Sequence, residues 1–378
     1  MHTHSFKWNG PAHHGAPEPK ARDADVVFYF GARQALADRS LYPNLRTAFP
    51  KAILTGCSTG GQIGSEGLSD GLVVGLAMSL ERSTARLARL PISGPENSFA
   101  AGARIGSELN APDLAGIVVL TDGLRVNGGD LAAGIASAIP SGITVAGGMA
   151  GDGDRFEATL VGANCSPVGG IVAAVGFYGK HITLNAKGGG GWSAFGPRRK
   201  ISRSTQNVLY ELDGKPALEL YTKYLGAEAA QLPASGLRFP MLIRDPGTDR
   251  ELIRTLLSVD RATGSITFAG NMPVGWTAQL MRASSEKLCD AASLAARDLR
   301  DQGSTAPDAA LLVSCIGRRM FLGQRTDDEI EAVRDSLGGS VPVFGFYSYG
   351  EFAPLAGAGQ VELHNQTMTV MTITEECG

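Results

Sequence analysis

Apolar and polar positions along the chain repeat one pattern: an apolar strand, a helix, a second apolar strand ending in glycine, a glycine-containing loop and a third strand. The first instance reads VVFYFG from Val26, LYPNLRTAF, AILTGC from Ala52, STGGQIG and GLVVGLAMS. The second reads GIVVLTD from Gly116, DLAAGIASAI, ITVAGG from Ile143, MAGDGDRF and GGIVAAVGFYG. A third is expected in FPMLIRD from Phe239, DRELIRTLL as its helix, SITFAGN from Ser265, MPVG and WTAQLMRA. The last reads LLVSCIG from Leu311, DDEIEAVRDSL, VPVFGF from Val341, SYGEFAP and TMTVMTI.

Gly56 and Gly60, like Gly147 and Gly151, are four residues apart, whereas Gly270 and Gly275, like Gly345 and Gly350, are five apart. That difference predicts an α/β protein of two related domains, each an internally duplicated β-α-β-loop-β unit, with mixed sheets flanked by helices. Alanine and leucine at helical spacing predict connecting helices at ENSFAAGARIGSEL from Glu96 and EKLCDAASLAARDLR from Glu286. ALELYTKYLG predicts a helix closed by a glycine cap, and GGGGWSAFGPRRK from Gly188 reads as the junction between the halves. Residues 1–22, rich in His, Pro and Gly without periodicity, read as a flexible lead-in.

Glycine, 50 of 378 residues, is about twice its usual share and follows no collagen period, so it is placed by the architecture. Basic and acidic residues number 34 and 37, for a net charge of -3, which gives no electrostatic reason to expect nucleic acid or a membrane surface as a partner. The start lacks an apolar signal region and no stretch approaches a membrane span; the five scattered cysteines, Cys57, Cys165, Cys289, Cys315 and Cys377, form no CxxC pair. A reducing, cytoplasmic setting without a zinc site is the expectation.

Strands ending in glycine loops present backbone N–H groups at a sheet edge, where many folds hold polar ligands. Cys57, Ser58 and Thr59 lie in the first such loop, but GCSTGGQIG lacks the GK[ST] of a phosphate cradle and no GxGxxG follows a strand. Cys57 could be a nucleophile beside a histidine, although a packed core thiol is the commoner role. In the last loop, Tyr347 and Tyr349 offer ring faces and hydroxyls, and Glu351 a carboxylate. With Arg318, Glu351 would suit the ammonium and carboxylate of an amino acid; alternatively, Glu351 and an arginine pair with each other. Strand alternation through VELHNQTM puts Glu362, His364 and Gln366 on one face and Leu363, Asn365 and Thr367 on the other, a polar row that is either exposed or lines a wet pocket. His2, His4, His13 and His14 read as a solvated tail more than a metal site, and no catalytic motif is present.

The order of GCSTGGQIG, GGMAGDGD, ELDGKPALELYTKYLG, FAGNMPVG, SCIGRRMFLGQRT, GFYSYGEFAP and ELHNQTMTV resembles the FIST proteins over residues 24–375. The resemblance implies a FIST N domain at 23–203, a FIST C domain at 204–378 and small-ligand sensing in bacterial signal transduction. Amino acids are the ligand class usually proposed. It implies no catalysis, and an output passed to a separate signalling protein such as a kinase or cyclase. One branch of similar proteins binds haem and senses nitric oxide through a histidine. Here GGGGWSAFGPRR carries no histidine, which leaves His181 and His364 as internal candidates and makes a cofactor-free protein the expectation.

Overall fold

The structure, a computed structural model, describes residues 1–8, 19–248, 250–303, 305–355 and 359–376; His13, His14 and Cys377 lie outside them. It is a mixed α/β protein in which three sheets repeat one plan. In each, two parallel strands joined through a helix lie side by side: Val26–Gly31 with Ile53–Ser58, Leu114–Thr121 with Thr144–Met149, and Ala309–Cys315 with Val343–Ser348. A returning strand pairs antiparallel with the first of each couple: Val73–Ser79, Ile171–Tyr178 and Met368–Glu375. An outer strand follows: His2–Trp8, Thr84–Pro91 and Ile182–Gly189.

The other edge of each sheet is completed by a different unit. Val161–Ala163 of the second unit pairs with Ile53–Ser58 of the first. The third unit's Gly350–Pro354, with Val361–His364 beyond it, pairs with Thr144–Met149 of the second. Gln62–Gly64 of the first unit, backed by Gly67–Ser69, pairs with Val343–Ser348 of the third. The exchange therefore closes in a cycle. Apolar side chains from all three sheets share one core, where Phe30 stacks on Phe346 with ring centroids 4.6 Å apart.

The strand-end glycines occupy matching register positions. Gly56 lies opposite Tyr29, Gly147 opposite Val119 and Gly345 opposite Leu312. A Cβ on them would stand 1.9, 2.0 and 1.8 Å from the facing carbonyl oxygen, which is why glycine punctuates these strands. Just beyond, three backbone hydrogen bonds close a ring. Gly151 N–H donates to the Ser58 carbonyl at 2.8 Å, Tyr349 N–H to Met149 at 3.2 Å, and Gly60 N–H to Tyr347 at 2.8 Å.

The expected helices at the three units form as Leu41–Ala48, Gly128–Ala138 and Thr326–Leu337. The connecting helices form as Ser98–Leu109 and Ser285–Gln302, the latter capped by the Ser284 hydroxyl. The third copy expected at 239–282 differs. DRELIRTLL gives the strands Glu251–Arg254 and Leu256–Asp260, because Leu252 and Arg254 are buried in alternation with Glu251 and Ile253, a period of two. They belong to an eight-stranded antiparallel sheet built between Ser193 and Arg282 and packed on the helix Ala217–Leu225, which Gly226 ends as expected. This sheet is inserted into the third unit between its outer strand and its first helix. The strand Ser193–Thr205 contains both 203 and 204. At the N-terminus, His2–Trp8 is a strand and not a flexible lead-in: its backbone pairs residue for residue with Val73–Ser79, and Trp8 is buried.

Gly147→Ala is expected to cost about 3 kcal/mol or more, since the new methyl overlaps a backbone oxygen in a filled interior and φ at this residue is +140°. Gly188→Ala, whose Cβ would meet nothing closer than 4.0 Å, should change stability far less; urea denaturation of the two variants measures the contrast.

Candidate functional site

The glycine loops do not form a free ligand edge. Their N–H groups are used in the central ring, and the side chains there are interior. Cys57 is fully buried between strands of the common core, with its thiol pKa pushed well up by burial, so the nucleophile reading is not supported by its surroundings. The Ser58 hydroxyl accepts from Leu160 N–H at 2.9 Å, and the Thr59 hydroxyl contacts the Gln62 amide at 2.8 Å. Tyr347 is buried and donates to Glu329 at 3.3 Å. Tyr349 donates to Asp152, stacks on Phe156 at 4.4 Å between centroids, and reaches the wall of a small cavity of about 210 Å³.

Arg318 and Glu351 do not form the amino-acid clamp, nor do they pair with each other. Arg318 is completely buried and donates to Glu329 at 2.7 and 2.5 Å, and to the carbonyls of Gly190, Gln366 and Leu288. A buried guanidinium needs such a partner, and the helix that starts at Thr326 supplies it. Glu351 accepts from the Ser348 hydroxyl at 2.6 Å and from the backbone and hydroxyl of Thr367 at 3.2 and 3.0 Å. Burial pushes its pKa up to about 8, so near neutrality it is largely the protonated acid.

His364 and Asn365 do come together, in the wall of a cavity of about 780 Å³ between the third unit and the inserted sheet. The strand Val361–His364 stops before Asn365, and Gln366 takes φ +62°, so the expected alternation does not continue through Asn365, and both residues line the same space. Asn365 is wholly buried, yet neither Oδ1 nor Nδ2 has a hydrogen-bond partner among the described residues, and the same holds for His364 Nε2. Buried polar atoms are normally satisfied, so three unsatisfied ones on adjacent residues at the wall of a cavity single this place out as the candidate site. Burial, with Arg254 and Arg250 nearby, pushes the His364 pKa down to about 4, so its imidazole is neutral at physiological pH.

The sequence reading missed the rest of this wall. In the run 188–191, a Cβ on Gly189 or Gly191 would strike the helix Ser285–Gln302 at 2.3 Å, whereas Gly188 and Gly190 face the cavity with room to spare. In the sequence the run reads only as the junction between the halves. Trp192 follows, its indole N–H donating to the Gln366 carbonyl at 2.9 Å. Leu242, Ile253 and Met281 from the inserted sheet give the opposite wall. The charged side chains at the wall are paired, Lys187 with Asp298 and Glu251 with Arg244 at 2.7 Å. No group of three or more metal-ligating side chains occurs among the described residues, and none of their helices is long and apolar enough to cross a membrane.

Comparison with known proteins gives two family matches: residues 25–215 fit the FIST N domain and residues 217–354 the FIST C domain. Uncharacterized proteins from two strains of Mycobacterium tuberculosis are 28% identical over 231 residues, 57% of this chain and 57% of each relative. An uncharacterized protein of Mycobacterium bovis is 29% identical over 183 residues, 45% of each chain. The chain thus spans about half the length of these relatives.

Replacing Asn365 with leucine removes two unsatisfied buried polar atoms and adds apolar contact. The ligand-free protein should gain about 1 kcal/mol, seen as a higher urea midpoint with unchanged slope; a loss would mean the amide is structural.

Proposed function

The chain belongs to the FIST family, and from that premise we propose that it is an intracellular sensor that binds a small metabolite, of the amino-acid class or related to it, in the cavity beside Asn365. The observation that carries this reading is a space of about 780 Å³, within the usual range for small-molecule sites, whose lining includes His364 and Asn365, residues with side-chain polar atoms unpartnered among the described residues. The site lies between the inserted sheet and the third unit, so a ligand touching both favours one relative placement of the two, by no more than its differential affinity for the alternatives. That shift is what a separate kinase or cyclase would read. The test is a thermal-shift screen of amino acids and related metabolites. A ligand at about 100 times its dissociation constant should add about 2.7 kcal/mol of stability, and Gly190→Trp, which puts a bulky side chain into the cavity on the Ile253 side, should reduce the response. A ligand whose effect is undiminished by Gly190→Trp binds elsewhere and defeats this placement.

One observation favours a second reading. His364 lines the cavity, and its imidazole is neutral with Nε2 unpartnered among the described residues, so a turn of the ring out of its buried position would offer a ligand for a haem iron. Haem would supply gas binding. Titration with hemin should then give a Soret band that His364→Ala removes; a spectrum of free hemin throughout eliminates the reading.

A further inference from the structure

A second cavity, of about 210 Å³, shares no lining residue with the one beside Asn365. Its wall is drawn from the loops after Leu114–Thr121 and Thr144–Met149 of the second unit, from Tyr349 of the third, and from the inserted sheet. Most large apolar side chains of the protein are buried. Three that are not, Leu124 at 40%, Phe156 at 38% and Leu257 at 39% exposure, all line this one space. Exposed apolar side chains scattered singly need no explanation, whereas their convergence from separate segments onto one concavity is the usual mark of a binding site.

Phe156 carries the argument furthest. It takes φ +53°, a left-handed conformation that a bulky residue rarely adopts. A loop folded around one buried carboxylate holds it there. Asp152 accepts from the backbone N–H groups of Phe156 at 2.9 Å, Glu157 at 3.2 Å and Ala158 at 3.1 Å, and pairs with Arg33 at 3.2 Å. The Phe156 ring stacks on Tyr349 within 16° of parallel, and the Tyr349 hydroxyl donates to the same carboxylate. Packing alone gains nothing from a disfavoured backbone that leaves the residue exposed, but a ring fixed in place and accessible is preorganised for contact with a ligand.

The lining also selects the chemistry. With Val126, Met149 and Phe268 buried in the same wall, the space is largely apolar. No acidic, basic or histidine side chain lines it among the described residues. The Tyr349 hydroxyl is committed to Asp152, and the Asn207 amide to the Phe268 carbonyl at 2.8 Å. An ion would meet no counter-charge here, whereas a flat apolar ring gains contact area and an aromatic partner. An apolar cavity of about 150 Å³ takes up benzene, so this one has room for one ring or two fused rings.

We propose that this cavity is a further ligand site, for a small uncharged aromatic compound lying against Phe156. It is independent of the cavity beside Asn365.

The probe is indole, whose NMR signals are followed as the full chain is added, with indole-3-acetate as its charged counterpart. Indole should bind saturably and at least tenfold more tightly than indole-3-acetate. Phe156→Gly should weaken it tenfold or more with an unchanged circular dichroism spectrum, because glycine accepts a positive φ freely. Leu257→Lys, on the inserted sheet, should weaken it as well, and Gly190→Trp should leave it unchanged. The proposal is overturned if indole does not saturate the protein, if indole-3-acetate binds equally well, or if neither Phe156→Gly nor Leu257→Lys alters the affinity. Loss of indole binding in Gly190→Trp would place the compound in the other cavity and overturn it too. So would tenfold tighter binding of the capped peptide acetyl-Gly-Trp-Gly-amide, which would assign the space to a side chain of a partner protein.

Discussion

Three backbone hydrogen bonds at the centre of the molecule, Gly151 to Ser58, Tyr349 to Met149 and Gly60 to Tyr347, determine what the rest of the structure can be. Each joins the loop after one unit's second parallel strand to the end of that strand in another unit. For the loops to come so close, the strand before each must pass its neighbour without a side chain, which fixes Gly56, Gly147 and Gly345. Once past the ring, each chain segment lies on the neighbouring unit's sheet and supplies the edge strand that unit lacks. The same arrangement covers sheet edges that would otherwise expose unpaired backbone groups.

That economy has a functional consequence. Backbone N–H groups at strand ends, which in many open sheets receive a ligand, are here spent on cohesion. The candidate site lies where the cyclic plan is interrupted: the third unit opens after Gly189, the chain leaves to build the inserted antiparallel sheet, and it returns at the helix starting at Ser285. The cavity is the space between the insertion and the third unit. Arg318 braces its rim from behind, binding the carbonyls of Gly190 and Gln366 while its charge is met by Glu329.

The rim also holds the clearest conflict between stability and local rules. An amide buried with both edges unmet is unfavourable in the folded protein, and the neutral imidazole next to it is held in the same condition. Such a conflict between local chemistry and the fold, found among the described residues, is what marks the rim as the candidate site.

Much of the architecture was legible in the sequence because its signals are local. The alternation and apolar runs of the strands, the acidic first turn of DDEIEAVRDSL, the serine cap at Ser284 and the glycine closing ALELYTKYLG act within a few residues, and the FIST motifs carried the family. The 251–260 segment misled because leucine and isoleucine spacing fits a helix as well as a strand; hydrogen bonding to Met241–Arg244 and Ser265–Phe268 settled it. In the candidate site, His364 and Asn365 stood out as members of a polar row on a strand, whereas Gly188, Gly190 and Trp192 read only as part of the junction. What the sequence determined by itself was the set of elements, the glycine-marked strand ends and the family. Only the tertiary structure decided that three units exchange strands around a ring, that Arg318 answers Glu329 and not a ligand, and that one asparagine is left unanswered. Those outcomes depend on which distant groups meet, and no local preference of the chain encodes that.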